Sequence, residues 1–317
     1  MSKFIFKRVN DQITIENKAE YLTEFPAGIY NIGSTMNGIF FSQVNLISDE
    51  IIPVENSPTD EIINDINNFM SVETQNKYKE YGFVHKRGIL MYGRGGTGKS
   101  TTITQVANNI VNRGGIVFFN APPTLLAAVL PTIRQNNPNK IIGVIYEEFD
   151  EWLAGESAAM LSFLDGELQV NNIVFLGATN YISKIPERIK NRPSRFSKVI
   201  EITAPDINFR REFFKCKLKG DDLNRLDEFV TNTEGMVVDQ LKDIIISVCC
   251  IGLSLSDAIN KIKSMEKNGV GVDDYRESYQ QGELKSFADK VKRIQKQENI
   301  ATIVRTIGIE KDLPNDI

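Results

Sequence analysis

Gly93-Arg94-Gly95-Gly96-Thr97-Gly98-Lys99-Ser100 fits the pattern GxxxxGK[ST]. It stands between an apolar run, Gly88–Tyr92, and a stretch of helical character, TTITQVANNIV, that begins at Thr101. That strand–loop–helix setting is what the pattern needs. Glycines let a loop wrap closely and turn successive N–H groups inward, and the N-terminus of the following helix adds positive dipole. The chemistry that such a concavity suits is phosphate binding. Gly93, Gly95, Gly96, Thr97, Gly98, Lys99, Ser100 and Thr101 are the candidate cradle. Lys99 can bridge the β- and γ-phosphates of a nucleotide, and the Ser100 hydroxyl can ligate Mg²⁺. A phosphate loop by itself serves kinases, GTPases and motors alike.

Working outward, four more short apolar runs alternate with helical stretches: Gly115–Asn120, Ile141–Tyr146, Ile173–Ala178 and Lys198–Thr203. Strands separated by helices predict an α/β domain with a five-stranded parallel sheet covered on both faces. The third run leads into Glu147-Glu148, two carboxylates at a strand's C-terminal end, where open α/β sheets bind ligands. One acid there can hold the Mg²⁺ shell and the next can polarise a water for in-line attack. An acidic loop start is the plainer alternative for the pair taken alone. Upstream, FIFKRV and ITIEN flank Asn10-Asp11-Gln12, and GIYNIG and GIFFSQVNLI flank Ser34–Asn37, which predicts two hairpins. Ser57-Pro58-Thr59-Asp60-Glu61 has the cap, the first-position proline and the acids of a helix start. After Pro205 the strands stop, and helices are expected at about 207–219, 221–232, 237–252 and 255–267. The expected organisation is a β-rich segment over 1–56, an α/β nucleotide-binding domain over 57–204, a small helical lid over 205–268, and a helix and tail over 269–317.

Composition narrows the class. The 317 residues carry a net charge of −4, with a pI near 5.4. That balance gives no general attraction to nucleic acid or to anionic membranes. The longest apolar run, Ile244 to Leu253, is far short of the ~20 residues that cross a bilayer. The N-terminus lacks the apolar core of a secretory signal. Three cysteines are too few for a disulfide framework, and Cys249 and Cys250 read as buried thiols within an apolar run. A cytoplasmic setting is expected. Abundant Ile and Asn, with AT-rich codons, suggest a bacterial or phage genome.

Five elements in collinear order resemble the AAA+ ATPase superfamily, and within it the AAA clade. They are YKEYGFVHKRGILMYGRGGTGKST, YEEFDEW, IVFLGATN, IPERIKNRPSRF and TEGMVVDQLKDII, which span about residues 75 to 265. The resemblance implies a P-loop core with a helical lid, ATP and Mg²⁺ as ligands, and Glu147 and Glu148 as the metal-shell and water-activating acids. It implies Asn180 as the polar sensor that orients the attacking water. It implies Arg192 and Arg195 as arginines reaching a neighbouring subunit, and with them a homo-oligomeric, hexameric ring that remodels a protein partner. Three positions depart from the clade. Arg94-Gly95 stands where prolines are common. Glu147 stands where Asp is usual, which points to slow turnover. The stretch Ala121–Pro131 lacks the aromatic–hydrophobic–Gly pore loop of members that thread polypeptide, which argues for rearranging a docked partner instead.

Other residues read plainly. Trp152 is expected in ordinary packing, His85 has no catalytic partner at useful spacing, and Lys290–Arg293 suits a solvated helix face. The aromatic residues Phe4, Phe6, Tyr21, Phe25, Tyr30, Phe40 and Phe41 suit either a module's own core or a docking face. A DNA-associated ATPase resembling a clamp loader or initiator, and a nucleotide-gated scaffold that hydrolyses slowly, are the alternative functions. The first would need a basic stripe that the sequence lacks.

Overall fold

The computed structural model describes residues 4–9, 12–17, 22–36, 38–47, 57–165 and 171–268. Phe4–Val9 (β1) and Gln12–Asn17 (β2) form the first expected hairpin as a two-stranded sheet, with Val9 opposite Gln12. Gly28–Thr35 (β3) and Gly38–Val44 (β4) form the second, with Thr35 opposite Gly38. Helix α1, Pro58–Phe69, starts as its sequence predicts: the Ser57 hydroxyl accepts from Asp60 N–H at 3.1 Å, and Ile62, Ile66 and Phe69 are buried. A short helix follows, Val72–Glu80 (α2). The α/β core then runs Lys86–Tyr92 (β5), Lys99–Asn112 (α3), Ile116–Phe119 (β6), Pro123–Asn136 (α4), Ile142–Tyr146 (β7), Phe149–Asp165 (α5), Ile173–Thr179 (β8), Glu187–Lys190 (α6) and Lys198–Glu201 (β9).

All five apolar runs of the core are strands, parallel and in the order β6-β7-β8-β5-β9. Alternation sends Leu90, Val144 and Phe175 to one face, against α4 and α5. It sends Ile89, Met91, Val174 and Leu176 to the other, against α1 and α3. Each such side chain, fully buried, contributes roughly 1.5–3 kcal/mol relative to exposure. The lid comprises Ile207–Lys217 (α7), Leu226–Asn232 (α8), Val238–Ile245 (α9) and Leu255–Asn268 (α10). Phe213, Phe214, Phe229, Leu241 and Ile259 form its own core. Asp257 N–H donates to the Ser254 hydroxyl at 3.1 Å, the expected cap of the last helix.

The structure corrects two expectations. The sheet is larger than five strands, because β1 and β2 keep a two-stranded sheet of their own whereas β3 and β4 join the core. β3 pairs with β6 in parallel, Tyr30 opposite Phe118, so the sheet has seven strands in the order β4-β3-β6-β7-β8-β5-β9. The cause is aromatic packing. Phe25 meets the Tyr30, Phe41 and Phe118 rings edge-on at 4.9, 4.8 and 6.1 Å. Tyr30 and Phe118 are core, Phe25 and Phe41 are half-buried against them, and Phe40 is exposed; the side chains of Phe4, Phe6 and Tyr21 lie outside the described residues.

The stretch Ala121–Pro131, expected to lack a pore-loop motif, lies mostly in a helix. After Pro122 and Pro123 it is the first half of α4, whose Leu126, Leu130 and Ile133 recur at helical spacing and are buried. Leu130 is core and has no surface with which to grip a chain. Secondly, Cys249 and Cys250 are exposed, where buried thiols are expected. They sit in a π-helical turn, Ile246–Cys250, that buries Ser247 and Val248 instead. The tail over 269–317, with Lys290–Arg293, lies outside the described residues.

His85, the chain's one histidine, is buried just before β5. Its ring stacks on Phe69 at 3.8 Å, and its nitrogens meet Asn172 Oδ1 at 2.9 Å and the Phe69 carbonyl at 3.0 Å. Burial holds its pKa below the ordinary 6.5, against the opposing pull of those two hydrogen bonds. A histidine that is harder to protonate when folded stabilises the fold above the unfolded value of 6.5. That stability is lost as pH falls from about 6.5 through the lower folded pKa. Urea unfolding between pH 7.5 and 5.5 is expected to show falling stability, with a shallower slope in His85→Gln. Equal slopes in the two proteins would refute the assignment.

Candidate functional site

Strand register brings the site together. Tyr92 pairs with Thr179 and Tyr146 pairs with Gly177, so β5, β7 and β8 end at one edge of the sheet. The residues that follow, Gly93, Glu147 and Asn180, therefore leave the sheet side by side. Asn120 follows β6 at the same edge and receives Glu147 N–H on its Oδ1 at 2.9 Å.

The loop from Gly93 to Gly98 needs its glycines. Gly93 has φ 153°, and a Cβ there would stand 2.2 Å from the Ile202 carbonyl oxygen. Gly98 has φ 102° and caps α3 in the left-handed region. Lys99 opens α3 and is 8% exposed. Its ammonium donates to the carbonyls of Gly93 and Arg94 at 2.7 and 2.9 Å, closing the loop on itself. Burial lowers its pKa, and Asp239 opposes that shift. Asp239 opens the lid helix α9 and donates its N–H to the Gly96 carbonyl at 3.1 Å, so the lid rests directly on the loop.

A cleft of about 280 Å³ opens beside Lys99. Ser100, Glu147, Glu148 and Asn180, four residues named from sequence on three separate segments, line it together. Thr101 and Thr97 belong to the same loop–helix junction, and the Thr97 hydroxyl donates to the Arg94 carbonyl at 2.9 Å. Glu148 has φ 48°, uncommon for a residue with a side chain; it turns the chain sharply between β7 and α5. The donors fit a hard divalent ion. The Ser100 hydroxyl and the Glu147 carboxylate share the cleft, and among the described residues no group of three His, Cys, Asp or Glu could hold a metal unaided. One carboxylate and one hydroxyl, completed by water and phosphate, is the donor set that suits Mg²⁺.

Asn120, Glu151 and Trp152 also line the cleft, and sequence reading missed the first two. Asn120 had a signal: an Asn directly after an apolar strand, two residues before a pair of prolines. Trp152 packs 5.2 Å from the Tyr146 ring, so the expected packing and a place at the cleft are both true of it.

The two arginines part company. Arg192 is exposed, with one guanidinium nitrogen 3.1 Å from Asp165 Oδ1. Arg195 is buried within its own chain. It grips Asp165 bidentately at 2.6 and 2.5 Å and donates to the Arg188 carbonyl at 2.6 Å. Within the single chain, Nε and both terminal nitrogens of Arg195 are thus hydrogen-bonded, whereas Arg192 is exposed. Sequence alone did not show Asp165 as its partner, thirty residues away.

Residues 89–204 match the model of the ATPase family associated with various cellular activities (AAA). The chain is similar to the proteasome-activating nucleotidase of Sulfurisphaera tokodaii, 24% identical over 247 residues, covering 67% of this chain and 63% of the relative. It is similar to the proteasome-activating nucleotidase of Saccharolobus solfataricus, 24% identical over 238 residues, covering 64% and 59%. The ATPase family gene 2 protein of Schizosaccharomyces pombe is 25% identical over 216 residues, covering 62% of this chain and 26% of the relative. The chain thus spans about three fifths of the length of the two nucleotidases and a smaller share of the third relative. Family match and fold coincide over residues 89–204, the part of the α/β core that carries the cleft.

The unequal settings of the arginines predict unequal stability effects. Arg195→Ala is expected to cost about 2–3 kcal/mol by urea unfolding, through lost hydrogen bonds and an Asp165 left without its main partner. Arg192→Ala should stay within ~0.5 kcal/mol of wild type. Equal losses would contradict the division.

Proposed function

We propose that this AAA+ domain binds ATP with Mg²⁺, hydrolyses it, and works as a head-to-tail ring, hexameric by family resemblance, on a protein partner. The observation that carries the reading is the meeting of Lys99, Ser100, Glu147, Glu148 and Asn180 at one cleft. Lys99 exchanges its two carbonyl partners for phosphate oxygens, a charge-assisted bond replacing neutral ones. Ser100 and Glu147 hold the ion, which when bound neutralises charge on the β- and γ-phosphates. Glu148 takes the proton of the attacking water, and the Asn180 amide orients that water. Arg192, exposed, is the candidate for the neighbour's γ-phosphate, a role that is worth about 10³–10⁵ in rate where it occurs. Relatives named as nucleotidases support hydrolysis, and one whose name states activation of a proteasome supports a protein partner. With Leu126 and Leu130 in the core, α4 supports rearrangement of a docked partner over threading. The acidic net charge weighs against a nucleic-acid partner.

The cleft holds Trp152, the chain's only tryptophan, so its emission follows nucleotide binding directly. Glu148→Gln is expected to keep wild-type ATP affinity by that signal while turnover drops at least ~10²-fold. Near-wild-type turnover would mean that the carboxylate roles are misassigned. Glu147→Asp is expected to retain or raise turnover.

Catalysis across subunits is tested by mixing. Arg192→Ala and Glu148→Gln chains, each nearly inactive alone, should regain activity together, because a mixed ring contains interfaces with both groups intact. Additive inactivity of the mixture would rule out Arg192 acting in trans.

A further inference from the structure

Asn180 is the first residue past the end of β8, and Tyr181 has already left extended geometry at φ −128°, ψ 75°. The sheet's hydrogen bonds therefore do not hold the turn that carries the sensor amide. A different arrangement does. Thr179, buried at the strand's last position, donates its hydroxyl to Asp150 Oδ1 at 2.6 Å and accepts Tyr181 N–H at 2.9 Å. The second bond spans Asn180, and the first ties the same hydroxyl to α5. Asp150 is itself buried, in the first turn of α5, two residues after Glu148. Its other oxygen stands 4.0 Å from Lys184 Nζ, and that ammonium lies 4.1 Å from the centre of the Tyr181 ring.

We infer that Thr179 and Asp150 are a positioning pair that fixes the Asn180 turn relative to Glu148. The inference rests on the hydrolytic reading of the cleft. The reaction needs a carboxylate and an amide to address one water, yet the two side chains stand on different strands' exits. A hydrogen bond from the β8 exit to the α5 start ties those exits together, and a charged acceptor away from water makes it strong. Valine has nearly the size of threonine but neither donates nor accepts, so a purely steric role and a positioning role predict different outcomes.

The test uses the full chain with Thr179→Val, Thr179→Ser and Asp150→Ala, alone and with Asn180→Ala. Thr179→Val is expected to lower kcat about 10-fold with the KM for ATP unchanged, and Thr179→Ser to retain wild-type kcat, since misplacement of reacting groups acts on kcat. In the Asn180→Ala background Thr179→Val should cost nothing further, because its effect passes through that amide. A wild-type kcat for Thr179→Val, or an equal loss with Asn180 already removed, would overturn the pair. Should Thr179→Val fail to fold, Asp150→Ala must reproduce the same kcat loss from the opposite element. Hydrogen exchange supplies a readout independent of turnover. The Tyr181 amide should exchange about 10-fold faster in Thr179→Val than in wild type or Thr179→Ser. Unchanged exchange overturns the positioning pair, whereas a wild-type protein that hydrolyses no ATP overturns the functional reading instead.

Discussion

The pairing of β5 with β8 is the constraint on which the site depends. Its register sets Tyr92 against Thr179, and β7 is set in turn against β8 with Tyr146 opposite Gly177. Because side chains alternate along a strand, a slip of one residue would turn Ile89 and Met91 to the face of α4 and α5 and carry Leu90 to that of α1 and α3. Both faces are buried, so such a slip would mismatch two cores at once. The same register fixes where the chain leaves the sheet. The phosphate loop, the paired acids and Asn180 share a cleft because hydrophobic packing on two faces leaves their strands no other alignment.

Within that frame the loop is held from three sides. The Ile202 carbonyl presses against Gly93, Lys99 closes the loop from inside, and Asp239 reaches Gly96 from the lid. A change in lid position must therefore alter contacts to the loop itself. The loop thereby has a direct mechanical connection to the helical lid, through one backbone hydrogen bond and the adjacent Val237 and Asp239 side chains.

The sheet's far edge shows how few residues can change an architecture. Ile29, Tyr30 and Ile32 are buried, and the cluster of Phe25, Tyr30, Phe41 and Phe118 adds β3 and β4 to the five parallel strands. Edge-to-face aromatic pairs contribute about 0.5–1.5 kcal/mol each beyond the area that they bury. Several of them at one junction suffice to recruit a hairpin. Tyr30 and Phe118 are then committed to the core, with Phe25 and Phe41 half-buried against them.

The sequence by itself determined the phosphate loop, the five parallel strands, the capped start at Ser57 and the helical lid. Each is written in neighbouring residues: a glycine spacing, an apolar run of strand length, a cap three residues from its N–H, a helical period. The loop that ends at Lys99 and the place of Glu147 and Glu148 at the end of a strand were legible for the same reason. Only the tertiary structure decided that β3 joins β6, that Arg195 turns inward to Asp165 while Arg192 stays outside, and that Asn120 and Thr179 brace the cleft. It also decided that Leu130 is core and that Cys249 is not. These outcomes pair residues tens of positions apart. Local pattern says which element a residue occupies, whereas its partner is chosen by strand register and by which face finds a core to fill.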